Sequence, residues 1–224
     1  MENIARVVNI LMQQAKKRIV TSREVQTAVK ILYVQSSELV SEGTRLVTSY
    51  NASCVGGNTH AKYISQFDME TIRSVRQIFK DELKKYDTRY KCSKGAPIYL
   101  FGVLKKLSEG NTDTTNTDLP EDDIMRIAYR LSEHFRRRVI RQIDLILACK
   151  IKYPNIEFKQ YTGERNSGTQ PLYMLKGRTR KIIQKYSPDW QCKLEKAALK
   201  YWQFLILQFK TMPNISNTQV IETN

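Results

Sequence analysis

The sequence predicts an all-α chain built of several helical groups. Apolar residues recur at helical spacing along most of the 224 residues, and 41% of the chain is hydrophobic, enough for a buried core. The helix, long helix, helix order occurs more than once along the chain.

Three helices are predicted in the N-terminal quarter of the chain. The first covers residues 2–18, with its apolar residues on one face. The sequence Thr21-Ser22-Arg23-Glu24 is a capping box that opens the second, because Thr21 can accept from the new first turn while Glu24 reaches back. The third runs from Ser37 to Tyr50, and the glycines that follow indicate a linker within residues 51–66.

A second helical group follows the linker. Its first helix is predicted to place one set of residues inward and another outward: Ile72, Val75, Ile78 and Phe79 against Arg73, Arg76 and Lys80. Residues 98–107 form an apolar helix, and the polar, turn-rich residues 108–119 are expected to form an exposed loop. Pro120 suits the first turn of the next helix. A short helix at 143–149 and a loop at 152–170 complete the group.

The last group has a helix at 179–186, a break at Ser187-Pro188-Asp189, and a long helix at 192–212, followed by a tail. Its basic residues fit a solvated face and contact with DNA equally well: Lys181, Lys185, Lys193, Lys196 and Lys200.

Charge and cysteine content narrow the classes of function. The 37 Lys and Arg against 22 Asp and Glu give a formal charge of +15, which indicates a polyanionic partner such as nucleic acid or acidic lipid. No apolar run is long enough to span a membrane, and no secretory signal is recognisable at the N-terminus. The four cysteines lack C-x-x-C spacing, so neither a metal site nor a disulfide framework is expected and a reducing compartment fits.

Two stretches resemble core histones. Ile19 to Val29, continued by Val40-Ser41-Glu42-Gly43-Thr44 and Val47-Thr48-Ser49-Tyr50, is similar to the closing loop and third helix of histone 2B. The stretch Gly95-Ala96-Pro97-Ile98-Tyr99-Leu100 resembles the start of the central helix of histone 2A, and Arg138-Val139-Ile140-Arg141 its second DNA-facing loop. The order on one chain resembles the fused histone doublets of large DNA viruses.

The resemblance implies histone folds paired within one chain and sets the expected domains. Residues 1–53 form the latter part of a 2B-like unit, 54–66 a linker, and 67–155 a 2A-like unit with the inserted loop 108–119. Residues 171–212 resemble the start of a 2B-like fold, and 213–224 form a tail. The segment 171–212 either completes the N-terminal fold by circular permutation or begins a third unit.

By resemblance, the expected function is core-histone-like packaging of double-stranded DNA in a nucleosome-like particle with little sequence specificity. The implied partners are a histone 3-like and a histone 4-like protein, possibly also fused. The implied location is the virion and the host nucleus or viral factory, inside the cell and not secreted. No cofactor, metal, membrane or small-molecule substrate is expected.

The DNA contacts expected from this resemblance are basic and hydroxyl residues of the paired loops, together with two arginines that flank the first helix of the second group, each cation neutralising a phosphate. They are Lys17, Arg18, Thr21, Ser22, Arg73, Arg76, Lys91, Lys94, Arg136, Arg137 and Arg138. Arg138 is the candidate for insertion into the minor groove. A solvated helix-end cluster is the other interpretation of Arg136–Arg138, as it is of the basic run at residues 16–18.

Other interpretations give different functions. Glu121, Asp122 and Asp123 with His134 could suggest a metal-dependent nuclease, although carboxylates in a first turn are explained by the helix dipole, and we expect no enzyme. The alternative of another class is a histone-fold transcription factor subunit that binds specific DNA. Glu38 and Glu42 could belong to an acidic docking surface, which Lys150 and Lys152 would weaken.

Overall fold

A computed structural model describes residues 1–34, 36–55, 69–109, 120–156, 158, 172–186 and 192–211. The described part is mostly helical with four two-residue strands, which confirms the all-α prediction. Two compact units divide the chain, unit 1 at Met1–Asn116 and unit 2 at Thr117–Asn224. The division falls inside the predicted inserted loop, so the segment predicted as one unit at 67–155 contributes helices to both. No described helix has the length and apolar character needed to cross a membrane.

Unit 1 alternates helices with two short strands. Its elements in chain order are α1 (Glu2–Ala15), β1 (Ile19–Val20), α2 (Ser22–Leu32), α3 (Ser37–Val55), α4 (Met69–Lys84), β2 (Lys91–Cys92) and α5 (Gly95–Ser108). The third predicted helix therefore extends five residues past Tyr50. Most of the predicted linker and the predicted loop at 108–119 lie outside the described residues.

Unit 2 repeats the alternation with fewer helices. Its elements are α6 (Pro120–His134), β3 (Val139–Ile140), α7 (Gln142–Lys152), α8 (Leu172–Tyr186), β4 (Lys193–Leu194) and α9 (Lys196–Thr211). The helices at 120–134 and 142–152 begin close to the residues at which the apolar spacing predicts that they begin. The break at residues 187–189, most of the loop at 152–170 and the tail lie outside the described residues.

The core of unit 1 lies between α1, α2, α4 and α5, with α3 packed on α2 and α5. The α3–α5 contact is close because a glycine stands on each helix. A Cβ at Gly43 would come within 2.7 Å of the Tyr99 ring, and one at Gly102 within 2.9 Å of a Leu46 methyl. Larger residues at these positions would separate the two helices.

The prediction that Ile78 of unit 1 faces the core is wrong. The side chain of Ile78 is 52% exposed, whereas Ile72, Val75 and Phe79 are buried as predicted. Ile78 lies beside Asp81 and Glu82 on α4, one helical turn away, and so belongs to the polar flank of the helix. Ile72, Val75 and Phe79 give three apolar positions in two helical turns, which is enough to form the buried stripe without Ile78.

The core of unit 2 surrounds α6. Every residue from Asp123 to Tyr129 is buried, so the middle of this helix is enclosed on all sides. Helix α6 packs on α7 and α8, and α9 packs on the same two helices. Trp202 is 1% exposed and is the largest fully buried side chain among the residues that the structure describes. The segment predicted to extend the fold at 171–212 thus supplies α8 and α9 to the core of unit 2.

Candidate nucleic-acid interface

Strand β1 lies parallel to β2 in unit 1, and this pairing brings two distant basic loops together. Ile19 is in register with Lys91 and Val20 with Cys92. The Lys91 N–H donates to the Arg18 carbonyl at 2.9 Å, and the Ser93 N–H donates to the Val20 carbonyl at 2.8 Å. We call this pairing, with residues 16–22 and 91–95, the first bridge.

A left-handed turn leads from α1 into the first bridge. Lys16 has a φ of 53°, and its N–H donates to the carbonyl of Gln13 while the next N–H, of Lys17, donates to that of Met12. This double hydrogen bond is the Schellman arrangement that ends many helices. Because a lysine occupies the left-handed position where glycine is common, the turn carries a cation at a small conformational cost.

The second end of β1 is fixed by a complete capping box on α2. The Thr21 N–H donates to Glu24 at 2.8 Å, and the Thr21 side chain accepts from the Arg23 N–H at 3.3 Å. Lys17 donates to the same carboxylate at 3.2 Å. Burial raises the pKa of Glu24, but the hydrogen bonds from Thr21 and Lys17 and the charge of Lys17 outweigh it, so the pKa lies below its ordinary value. The predicted Thr21 and Lys17 contacts thus also serve to hold the loop.

The remaining cations of the first bridge face solvent. Arg18, Lys91 and Lys94 are exposed, and none has an ion pair with a carboxylate of the described residues. A Cβ at Gly95 would lie 3.7 Å from the Ser22 hydroxyl, so the first turns of α5 and α2 meet at the bridge. Exposed cations beside two helix N-termini form a surface suited to an anion.

Helix α4 adds to this basic surface. Burial raises the pKa of Cys92 on β2, and the positive charges of Arg76 and Lys80 oppose the rise, which places both cations near the strand. Arg73 is exposed one helical turn before Arg76. The predicted contacts Arg73 and Arg76 thus share an exposed flank of α4 whose C-terminal part lies beside the bridge.

Unit 2 contains the same arrangement, which we call the second bridge (residues 136–141 and 193–196). Strand β3 lies parallel to β4, with Val139 in register with Lys193. The Lys193 N–H donates to the Arg138 carbonyl at 3.0 Å, and Arg136 has a φ of 54°. The N–H of Arg136 donates to Glu133 and that of Arg137 to Ser132, which reproduces the turn after α1.

The three predicted arginines of the second bridge have different environments. Arg136 and Arg138 are exposed. Arg137 is only 19% exposed, donates to the buried carboxylate of Asp144 at 2.6 Å, and lies over the Phe135 ring at 5.0 Å. Arg137 therefore holds the loop, and Arg136 and Arg138 are the two that present charge to solvent.

Asp144 occupies the position in α7 that Glu24 occupies in α2. It accepts from the Arg141 N–H at 2.9 Å. Arg141, at the N-cap, has no side-chain oxygen to accept from the first turn, so only half of the capping box can form. Burial raises the pKa of Asp144 and outweighs the lowering by the Arg141 backbone and by Arg137.

The pairing assigns nine of the eleven predicted contacts to two groups, and the other two, Arg73 and Arg76, lie on α4. Lys17, Arg18, Thr21, Ser22, Lys91 and Lys94 come together in the first bridge, and Arg136, Arg137 and Arg138 lie in the second. Two further exposed cations, Lys193 and Arg141, join the second bridge. Sequence reasoning left Lys193 between a solvated face and a DNA contact and did not select Arg141. Lys193 occupies the position in unit 2 that Lys91 occupies in unit 1, and the repeated order of helices in the sequence could have identified it.

Of the carboxylates considered for a metal-dependent nuclease, Asp123 has other partners. Asp123 is 1% exposed and pairs with Arg126 at 2.6 Å and with Lys152. Burial raises the pKa of Asp123, but the charge of Arg126 and the hydrogen bond and charge of Lys152 hold it below its ordinary value. Over the residues that the structure describes, no three His, Cys, Asp or Glu side chains are grouped so as to hold a metal ion.

The acidic residues considered for a docking surface lie on α3 and have cationic neighbours. Glu42 accepts two hydrogen bonds from Arg45, at 2.8 and 2.7 Å, and Glu38 lies 3.5 Å from the Lys106 ammonium. The hydrogen bonds from Arg45 lower the pKa of Glu42 against a smaller opposing effect of burial. These pairs reduce the negative charge that the two carboxylates present.

Comparison of the chain with protein-family models and with curated proteins finds no match in either case.

Proposed function

We propose that this chain packages duplex DNA in the manner of a core histone, with little sequence preference, as a joined 2B-like and 2A-like protein of the viral doublet type. The observation that carries the proposal is the basic bridge, which occurs once in each unit. Each bridge joins a loop that follows one helix to a loop that precedes another, as the pairing of histone folds requires. A partner similar to histones 3 and 4 would complete the particle, in a virion, nucleus or viral factory.

The chemistry of the bridges favours backbone recognition over base reading. Exposed Lys and Arg side chains with backbone N–H groups at helix starts suit phosphates, which carry no sequence information. Two bridges on one chain also favour binding, because once one is bound the other is held at a high effective concentration near the duplex. A net charge of +15 supports the same preference for a polyanion.

The first test measures how salt changes the affinity of the full chain for mixed-sequence duplex DNA. The double variant Arg136→Ala, Arg138→Ala should bind more weakly and lower the slope of log affinity against log salt by about 0.9 for each phosphate that is no longer neutralised. Arg18→Ala, Lys91→Ala should do the same for the first bridge. The matched control is Lys105→Ala, Lys106→Ala, which removes equal charge from the last turn of α5, at the end of that helix opposite the first bridge, where Lys106 pairs with Glu38 and Glu109.

An equal effect of the control and the bridge variants would mean that only net charge matters and would overturn the assignment of the bridges. Nuclease digestion of the complex then tests packaging. Protected fragments of uniform length, independent of sequence, are expected. A strong preference for one sequence would favour the transcription-factor alternative, and turnover of DNA with added magnesium would favour a nuclease.

A further inference from the structure

Ile19 is an apolar side chain at the centre of the basic first bridge. It is 55% exposed, whereas Val20, the other residue of β1, is fully buried. Side chains alternate along a strand, so burying Val20 turns Ile19 outward. The two-residue strand needs only one of them in the core, and a polar residue would satisfy the outer position.

The surroundings of Ile19 differ from those of the other exposed large apolar residues that are described. Ile78 lies beside acidic residues on α4, and Val34 and Tyr86 follow helix ends. Ile19 follows the exposed Arg18 and is in register with the exposed Lys91. Single exposed apolar residues are common on protein surfaces, so the position of Ile19 among cations carries the argument.

We propose that Ile19 enters the minor groove of a bound duplex and contacts its deoxyribose walls. This inference rests on the proposed function. Neighbouring strands lie about 4.8 Å apart, so the exposed Lys91 lies directly beside Ile19, and the exposed Arg18 precedes Ile19 in the chain. These two cations would bind phosphates at the edge of the groove, while the apolar side chain of Ile19 fills the roughly 6 Å wide minor groove.

The second bridge provides the contrast. Val139 takes the place of Ile19 and is half-buried, so less apolar surface is available there. The first bridge should therefore bind DNA through charge and apolar contact together, and the second bridge through charge alone. A minor-groove contact of this type is made with the sugar edges and width of the groove, which favours narrow, A·T-rich sites without reading individual bases.

The test compares Ile19→Thr with the full-length wild-type chain on an A·T-rich duplex over a range of salt concentrations. Threonine keeps the β-branched shape that suits a strand, so the bridge is retained, which an unchanged melting temperature verifies. The variant should bind about three- to tenfold more weakly at every salt concentration, because the loss is apolar, with an unchanged salt slope. Val34→Thr, an equivalent change away from the bridges, should bind as wild type.

A second measurement identifies the groove. When netropsin fills the minor groove of the same duplex, the affinity ratio of wild type to Ile19→Thr should fall to about one. A ratio that persists would overturn the minor-groove assignment, and equal binding of the two proteins without netropsin would overturn the inference while leaving the proposed function intact. A wild-type chain that binds no duplex at all would instead overturn the proposed function.

Discussion

The two units use one backbone arrangement with different side chains. In each unit, a helix ends in a basic residue with left-handed backbone conformation. The cation that follows it pairs with a buried carboxylate in the next helix, beyond a short strand, and this pair holds the loop. Lys16, Lys17 and Glu24 take these positions in unit 1, and Arg136, Arg137 and Asp144 take them in unit 2. The arrangement therefore depends on the backbone hydrogen bonds and on opposite charge, and several side chains can supply the charge.

The difference between the units lies in how strongly the loop is held and by which group. In unit 1 a threonine completes the capping box, and the cation that pairs with the carboxylate is a lysine whose side chain is 51% exposed. In unit 2 the threonine position is an arginine that cannot accept, and the paired cation is a largely buried arginine. Unit 1 thus relies on the cap and unit 2 on the ion pair.

Removing the paired cation should separate the two units most clearly. Arg137→Ala leaves the buried Asp144 without its closest cation and should lower the free energy of unfolding by about 2 kcal/mol. Lys17→Ala should cost about 0.5 kcal/mol, because Lys17 is half exposed and Thr21 still holds Glu24. Chemical denaturation of both variants provides the measurement. Equal decreases in stability would contradict the division of labour between cap and ion pair.

The helices around the first bridge could largely be predicted from the sequence, because the patterns that specify them involve only nearby residues. Helical spacing of apolar residues and the box at Thr21 and Glu24 depend on neighbours within one or two turns, so α1, α2 and their boundary were predictable. Ile78 was placed wrongly because periodicity gives a stripe without its width. The predicted helix at 37–50 is shorter than the observed one, because no glycine or proline between residues 51 and 55 marks where the helix ends.

The pairing of the strands could not be predicted from local sequence patterns. Residues 19–20 and 91–92 are far apart in sequence, and two-residue strands carry no alternation long enough to recognise. The pairing of residues 139–140 with 193–194 follows only after the first is known. The distinction between Arg137 and its two neighbours also required the structure, because three consecutive arginines look equivalent until Asp144 is located.

Exchanging the caps should have a smaller effect and in opposite directions. Thr21→Ala removes a side-chain acceptor from the first turn of α2 and should cost about 1 kcal/mol of unfolding free energy. Arg141→Thr should supply the acceptor that α7 lacks and add roughly 0.5–1 kcal/mol. Thermal or chemical unfolding measures both. Lower stability of the second variant would indicate that the Arg141 side chain stabilises the loop by another interaction.

The pH dependence of the two buried carboxylates should give the smallest effect and opposite signs. The pKa of Glu24 is lowered from 4.5, so its ionised form stabilises the fold above that pH, and the contribution is lost as the pH falls through the folded-state pKa. The pKa of Asp144 is raised from 3.8, so its contribution is present below that pH and is lost as the pH rises through the folded-state pKa.

Acidification from about pH 7 to about pH 3 should therefore cost wild type more stability than Glu24→Gln and less than Asp144→Asn. The measured quantity is the difference in unfolding free energy between wild type and each variant, in which the other carboxylates largely cancel. If both differences changed in the same direction, the two carboxylates would titrate alike. That result would contradict the conclusion that a cap holds the loop of unit 1 and a buried ion pair holds the loop of unit 2.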